Sequence, residues 1–382
     1  MVYRYSVDNP IMEKPLNPHF FSGFVQSDGS FHIGLEKDST AKHKIRIKPS
    51  FYVTQLNSKD KKISPVLRMA RNLLQVGHYI PDRKKNCSSL CVNTLKDLNN
   101  NVLPHFEEYP LLSEKKNDYL VFKEIVEKMN KKLDHSKEGF CDIYNLALLI
   151  HKKGGYRKKY KDFLNPFFDT LKECTQRSQR SLTSQTSLTS QTSQTSQTSL
   201  RDVRDVWDVR DVRDNKNIKH TSLPFQLFES LNDQFVSGYI QGDASFGFSF
   251  RIKRNKKDTN KAKISPFFSL GQDCSSVDLL EGLKRFFQCG KIYKVSDNYY
   301  RWMVSDYSSL KNSILDHLLT FPLLDVKGKD FLVFTECLHI LSSKEICEKQ
   351  KVKRVVECAY NLNMDGKRRR RTKEEYLRAI AS

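Results

Sequence analysis

The sequence predicts an α+β fold that is built twice within one chain. The stretch FFSGFVQSDGSF at Phe20–Phe31 returns as FVSGYIQGDASF at Phe235–Phe246. Segments of alternating hydrophobicity, which are typical of strands, follow each copy. A second matched pair, YPLLSEKKNDYLVFKE at Tyr109–Glu124 and FPLLDVKGKDFLVFTE at Phe321–Glu336, comes later in each half. Because both pairs keep their order and spacing, we interpret the chain as a duplicated domain.

The first repeated stretch predicts a short helix that runs directly into a strand. Each copy is apolar as far as Gln26 or Gln241 and then becomes a Phe-rich alternating segment. Small residues four positions apart would give each helix a flat side, on which a second backbone can approach closely. We therefore expect the two helices to pack on each other. The small residues are Gly23 with Ser27 in the first copy and Gly238 with Gly242 in the second.

Asp28 and Asp243 lie at the C-terminal ends of these two predicted helices. Packed helices would bring the two carboxylates together near a pseudo-twofold axis, where they repel each other unless cations neutralise them. Carboxylate oxygens suit hard divalent cations, so the pair predicts a metal site. For one copy alone, ordinary helix packing would be the simpler interpretation, and the second copy favours the site.

The segments after the first helix predict strands with a polar outer face. Ser30–Glu36 and Lys44–Gln55 both alternate, and so do Ser245–Lys253 and Lys261–Gln272 in the second half. Basic and hydroxyl side chains on an open face suit contacts with phosphates and base edges, although a solvated antiparallel face shows the same pattern. The candidate contact residues are His32, Lys44, Arg46, Lys48, Ser50, Tyr52, Arg251, Lys253, Lys261 and Lys263.

The remainder of each half supplies a helix, a hairpin and further helices. In the first half we expect a helix over 60–74, a hairpin over 79–94 with a basic turn, and a helix over 95–106. A longer helix is expected from Asp118, which leaves Lys115 on the approach to it. Lys115 follows Asp28 by 87 residues and Lys327 follows Asp243 by 84. Gln55 and Gln272 follow the same two acids by 27 and 29 residues.

Composition points to a polyanionic partner. The chain has 382 residues, a formal net charge of +21 and a pI near 9.5. No amphipathic or lipidation signal accompanies the charge, so we expect nucleic acid and no membrane. A basic ribosomal-type protein is the alternative, but aromatic residues make up 11%, which favours globular domains. Nine cysteines without a zinc-like spacing argue against a zinc module and a disulfide framework.

A low-complexity segment separates the halves. Residues 178–200 consist almost entirely of Ser, Thr, Gln and Leu in short repeats, and residues 201–214 repeat Arg-Asp-Val with one Trp207. Such segments bury too little apolar surface to offset the entropy of ordering. We therefore expect a first domain over 1–173, a disordered linker over 174–217 and a second domain over 218–382. Basic segments at 151–162 and 361–377 end the two halves. They would either bind phosphates or only increase solubility.

These residues resemble the LAGLIDADG homing endonucleases, in the single-chain form with two motifs. The resemblance implies two pseudo-symmetric αββαββα domains, with the motif helices at the interface and saddle-shaped antiparallel sheets on the DNA major groove. It also implies cleavage of both strands of a long double-stranded site, leaving 3′ overhangs. Asp28 and Asp243 would bind magnesium or manganese ions. Lys115 and Lys327 would stabilise charge on the phosphate or organise the attacking water, and Gln55 with Gln272 would position water.

Two departures and several alternatives accompany the resemblance. Gln26 and Gln241 stand here in place of the more N-terminal acid of the motif, and Ala244 stands where the first copy has Gly29 after its acid.

Related proteins can instead act as maturases, which assist splicing of the intron RNA that encodes them. A structural RNA-binding protein is a third possibility. We expect a monomer, and, because no targeting peptide is seen, synthesis inside a chloroplast or mitochondrion.

Overall fold

The computed structural model describes residues 15–43, 45–57, 62–82, 84–150, 231–254, 260–360, 362 and 372–381. The expected linker at 174–217, the domain limits at 173 and 218, and the basic segment at 151–162 lie outside these residues. Most of the basic segment at 361–377 lies outside them as well.

The first half consists of a helix, two strands, a helix, two strands and three further helices. Helix α3 is continuous but contains a π-helical turn, Leu98–Val102, between the α-helical turns Leu95–Asp97 and Leu103–Glu108. A 3₁₀ turn, Leu133–His135, precedes the last helix. The other elements are α1 (Pro18–Asp28), β1 (Gly29–Lys37), β2 (Ile45–Leu56), α2 (Pro65–Leu74), β3 (His78–Asp82), β4 (Cys87–Val92), α4 (Ser113–Asn130) and α5 (Lys137–Ile150).

The second half repeats this order. Its counterpart of α3 is α8, in which a π-helical turn, Leu310–Leu315, lies between Tyr307–Ser309 and Asp316–Thr320. A short 3₁₀ turn, Cys274–Ser276, precedes α7. The other elements are α6 (Asp233–Asp243), β5 (Ser245–Arg254), β6 (Asn260–Asp273), α7 (Val277–Phe287), β7 (Lys291–Ser296), β8 (Tyr299–Val304), α9 (Asp325–Ser342), α10 (Glu348–Ala359) and α11 (Lys373–Ala381).

Each half holds one four-stranded antiparallel sheet. The strand orders are β1-β2-β4-β3 and β5-β6-β8-β7. Ser30 pairs with Tyr52 in the first sheet and Ser245 with Ser269 in the second. The repeated order confirms the duplicated α+β fold.

The first helix of each half begins and ends in the same way. The Asn17 side chain accepts hydrogen bonds from the amides of His19 and Phe20, which fixes the start of α1. Asn232 caps α6 in the same manner. Gly29 and Ala244 follow these helices with extended backbone, so each helix passes directly into a strand, as the sequence predicts.

Aromatic side chains fill the space between each sheet and its helices. Phe31 from β1 lies 5.1 Å from Phe122 of α4, measured between ring centroids. The equivalent pair, Phe246 and Phe334, lies 5.3 Å apart. All four rings are buried, and full burial of such a side chain contributes roughly 1.5–3 kcal/mol. The cores anchor α4 and α9 beneath the sheets.

Two helix starts differ from the sequence expectation. Helix α2 begins at Pro65 and not at residue 60, because the residue before a proline disfavours helical backbone. Helix α4 begins at Ser113 and not at Asp118, so Lys115 lies in its first turn. The residues of this first turn are charged or polar, and the apolar periodicity therefore begins only at Tyr119.

Candidate active site

Helix α1 of the first half and helix α6 of the second half cross in close contact. A Cβ atom added to Gly23 would lie 1.9 Å from the carbonyl oxygen of Phe235. A Cβ atom added to Gly238 would lie 1.9 Å from that of Phe20. Both neighbours are backbone atoms, so only glycine permits this approach. The predicted packing of the two motif helices on each other is confirmed.

The contact between the C-terminal ends of α1 and α6 is asymmetric, because different residues face each other there. A Cβ atom on Gly242 would lie 1.9 Å from the hydroxyl oxygen of Ser27 and 3.0 Å from Oδ2 of Asp28. Asp28 thus lies beside the end of α6, whose last residue is Asp243. The crossing brings the two acids to one place.

The environment of the two acids favours their protonated form. Burial raises the pKa of Asp28 to about 7, and the Asp243 carboxylate adds to the rise. Lys327 and Lys115 oppose it. Burial also raises the pKa of Asp243, although this residue keeps contact with solvent. The hydrogen bond from Gln272 and the charges of the two lysines oppose that rise. Each acid therefore senses charges from both halves, as expected for one composite site.

The two lysines lie beside the acids. Nζ of Lys115 donates to the carbonyl oxygen of Gly29, at 2.6 Å, and Nζ of Lys327 donates to that of Ala244, at 2.5 Å. Each acceptor directly follows a motif acid. Burial lowers the pKa of both lysines, and nearby carboxylates oppose this effect. The matched contacts hold both ammonium groups beside the acid pair, where each acid is affected more by the lysine of the other half.

The two glutamines differ in their contacts. Nε2 of Gln272 donates to Oδ2 of Asp243 at 2.5 Å. Oε1 of Gln55 instead accepts from the backbone amide of Leu56, at 2.9 Å. The structure therefore joins Gln272 to the acid pair and turns the Gln55 amide toward its own strand.

Two buried histidines contact serine hydroxyls of the motif helices. Nε2 of His105 lies 3.1 Å from Oγ of Ser22, which donates to the carbonyl of Tyr109. His317 and Ser237 repeat this contact at 3.1 Å. Burial lowers the pKa of both histidines to about 4, so they are neutral near pH 7. Neither histidine was predicted from the sequence, although a His four residues before an aromatic-Pro-Leu-Leu segment occurs in both halves.

Two polar contacts join the two halves beside Lys115. Oγ of Ser113 donates to Oδ1 of Asp278 at 2.7 Å, and Ser275 hydrogen-bonds Glu114. Both contacts tie the first turn of α4 to the other half. No sequence pattern indicates them, because their partners lie more than 160 residues apart.

The outer face of the first sheet carries the candidate DNA contacts of that half. Arg46 and Lys48 are exposed and pair with Asp38 and Glu36, both at 2.5 Å. These surface ion pairs are weak enough to exchange for phosphate contacts. The rings of His32 and Tyr52 lie 6.2 Å apart, edge to face, whereas Ser50 is buried. Lys44 lies outside the described residues.

The second sheet places its basic candidates in register. Arg251 of β5 pairs with Lys263 of β6, and Lys253 pairs with Lys261. Lys263 is exposed. These four residues therefore occupy neighbouring positions in the two strands.

The donor set at the crossing fits a hard divalent cation. Among the described residues, no group of three or more His, Cys, Asp or Glu side chains is placed to hold a metal ion. Asp28 and Asp243 offer carboxylate oxygens, and magnesium commonly binds one or two carboxylates while taking its other ligands from water and phosphate. A cation would also offset the repulsion from Asp243, which adds to the effect of burial in raising the pKa of Asp28. Within the described helices, none is both long and apolar enough for a bilayer span.

Comparison with known proteins finds relatives of this chain. The family model described as LAGLIDADG endonuclease matches residues 21–126 and 236–338. The chain is 23% identical over 352 residues to "Probable intron-encoded endonuclease 2" of Neurospora crassa, covering 91% of this chain and 65% of the relative. It is 24% identical over 305 residues to "Probable intron-encoded DNA endonuclease 1" of Mycosarcoma maydis, covering 78% of this chain and 90% of the relative.

Solved structures share the fold. The I-LtrWI LAGLIDADG homing endonuclease bound to target DNA superposes with a TM-score of 0.68 at 18% identity, over 91% of this chain and 98% of that one. The I-SmaMI enzyme bound to cleaved DNA gives 0.67 at 19%, over 92% and 98%. Both matched family segments contain a motif acid with its lysine. The chain belongs to the LAGLIDADG endonuclease family.

Proposed function

We propose that this protein is a site-specific endonuclease that hydrolyses both strands of a double-stranded DNA target. The observation that carries the proposal is the meeting of two acids and two lysines, one of each from either half, at one helix crossing. Two strands need two reacting centres, and the duplication supplies them. Since one chain contains both centres, we expect it to act as a monomer with an internal pseudo-twofold axis.

The residues divide the chemistry between them. Asp28 and Asp243 would hold magnesium or manganese. The bound metal would activate water and neutralise charge on the phosphate. Lys115 and Lys327 bring a point charge to each centre and are kept in place by the carbonyls of Gly29 and Ala244. Gln272 restrains the Asp243 carboxylate by hydrogen-bonding Oδ2.

The two sheets supply the DNA contacts. A net charge of +21 favours binding to the phosphate backbone, and exposed Arg46, Lys48 and Lys263 are suitable contacts. Polar and aromatic residues such as His32 and Tyr52 can read base edges. The two sheets carry different residues at matching positions, so we expect an asymmetric target. These assignments remain predictions.

An intron provides the expected genetic setting. The two longest matches among the relatives are named as intron-encoded. We infer that this chain is encoded by an intron in a chloroplast or mitochondrial gene and cuts the uninterrupted form of that gene. Binding of its own intron RNA remains a prediction, which splicing assays with an Asp28→Asn, Asp243→Asn double variant would separate from cleavage.

The proposal is tested with a duplex spanning the uninterrupted host locus. Purified protein with magnesium should cut both strands, and a chelator should stop the reaction. Asp28→Asn should abolish cleavage of the duplex while binding, measured by gel shift, is retained. Retained cleavage by the Asp28→Asn variant would show that Asp28 is not a required metal ligand.

A further inference from the structure

The amides of Gln26 and Gln241 make a contact that the proposed chemistry does not use. Nε2 of Gln26 donates to the carbonyl oxygen of Leu112 at 3.2 Å, and the amide of Leu112 donates to Oε1 of Gln26 at 2.9 Å. Gln241 makes the same two bonds with Leu324, at 3.2 and 2.8 Å. One side chain therefore satisfies both polar backbone groups of one residue, and the arrangement occurs in both halves.

The residues held in this way define the start of α4 and α9. Leu112 and Leu324 are extended residues that directly precede these helices, and neither has a side chain that can cap the helix. Ser113 and Asp325 follow with φ of 51° and 52°, in the left-handed region that disfavours residues other than glycine. Such backbone persists only when its surroundings hold it in place. The glutamine amides supply that restraint.

The same turn carries the lysines. Lys115 lies three residues after Leu112, and its ammonium group bonds the carbonyl of Gly29, three residues after Gln26. The contacts form a closed ring that passes from Gln26 to Leu112, to Lys115, to Gly29 and back along the chain through Asp28. The ring through Gln241 encloses Asp243 in the same way. A shift of Leu112 would therefore move the lysine relative to the acid.

A neutral amide can make both bonds at any pH. An ionised carboxylate accepts hydrogen bonds but cannot donate to the Leu112 carbonyl, and an apolar side chain can do neither. The side chains of Gln26 and Gln241 are 5% and 1% exposed, so water cannot easily replace them. A neutral amide also adds no further negative charge beside the acid pair.

We propose that Gln26 and Gln241 are positioning residues, each of which sets the place of the lysine in its own half and thereby the rate at which one DNA strand is cut. The inference rests on the proposed endonuclease function. It assigns a role to the two motif positions at which this chain departs from the acid of its family.

The test is strand-specific cleavage of an end-labelled duplex spanning the uninterrupted host locus. Gln26→Met keeps the length of the side chain and removes both bonds. Misplacement by about 1 Å can cost about a hundredfold in rate, so we expect a loss of that order on one strand and no change on the other. Gln241→Met should slow the opposite strand. In a Lys115→Met background, Gln26→Met should cause no additional loss, because the residue acts through that lysine.

Hydrogen exchange in the free protein gives a second measurement that does not depend on cleavage. Gln26→Met should speed exchange of backbone amides in residues 112–118 and leave residues 324–330 unchanged, and Gln241→Met should do the reverse. Equal slowing of both strands, or a full additional loss in the Lys115→Met background, would refute the positioning role while the wild type still cuts. Unchanged exchange would refute the anchoring itself. A wild-type protein that does not cut its locus would refute the proposed function.

Discussion

Replacing Asp28 by Asn should stabilise the protein when no metal is bound. The pKa of Asp28 is raised from 3.8 to about 7, so between these values the folded state binds a proton that the unfolded state does not. Stability therefore falls as pH rises through this window, and the penalty is complete above pH 7. Asn cannot ionise and avoids the penalty. The proposed metal-binding acid Asp28 is thus predicted to be a destabilising residue.

The magnitude follows from the shift of the pKa. A pKa difference of about three units between the folded and unfolded states lowers the free energy of unfolding by about 4 kcal/mol at pH 8.5. The loss is only about 2 kcal/mol at pH 5, where Asp28 keeps its proton in the folded state. The advantage of Asp28→Asn over wild type should therefore grow by about 2–3 kcal/mol between pH 5 and pH 8.5. His105 and His317 titrate in both proteins and cancel in this difference.

The assay is chemical denaturation of both proteins in a chelator at the two pH values. Adding magnesium at pH 8.5 should stabilise the wild type more than the variant, because the cation binds the ionised pair. Asp243→Asn is the matched comparison, and we expect a smaller pH dependence because Gln272 already stabilises that carboxylate. An advantage of Asp28→Asn that does not change with pH would refute the assigned pKa.

Three further outcomes are expected. Gly238→Ala should lower the free energy of unfolding by about 3 kcal/mol or more, because its Cβ meets backbone, whereas Gly34→Ala, with its nearest neighbour at 3.5 Å, should change it little; denaturation of both variants checks this. Lys327→Met should slow cleavage of one DNA strand by about a hundredfold or more, measured on an end-labelled duplex. Equal slowing of cleavage on both strands would contradict the assignment of Lys327 to one centre. DNA affinity, measured by filter binding between 50 and 200 mM salt, should fall with a log–log slope of about −0.9 per neutralised phosphate, and an affinity independent of salt would contradict phosphate binding.

Much of the architecture is readable from the sequence because the chain contains it twice. A single Gly-x-x-x-Ser helix ending in Asp28 is ambiguous, but its second copy at Asp243 makes a shared interface the simplest explanation. The two lysines follow from their matched spacing to these acids. Internal repetition here replaces the information that related sequences would supply.

What the sequence does not reveal depends on backbone geometry. Ser113 begins a helix from the left-handed region, which no hydrophobic period indicates, so Lys115 was predicted ahead of its helix and lies within it. Gln26 was seen only as the absence of an acid, because its bonds go to a backbone that comes near it only after folding. The different contacts of Gln55 and Gln272 are likewise invisible in their equal residue type.

The contact between Ser27 and Gly242 makes the two halves complementary in shape. The hydroxyl of Ser27 occupies the space that a side chain at position 242 would need. Two copies of the first half would oppose Ser27 to itself, and two copies of the second would leave a gap. If the halves were expressed as separate chains, each would therefore prefer the other over its own duplicate. At this point of the crossing, the two halves of the duplicated chain are therefore matched to each other and not to a copy of themselves.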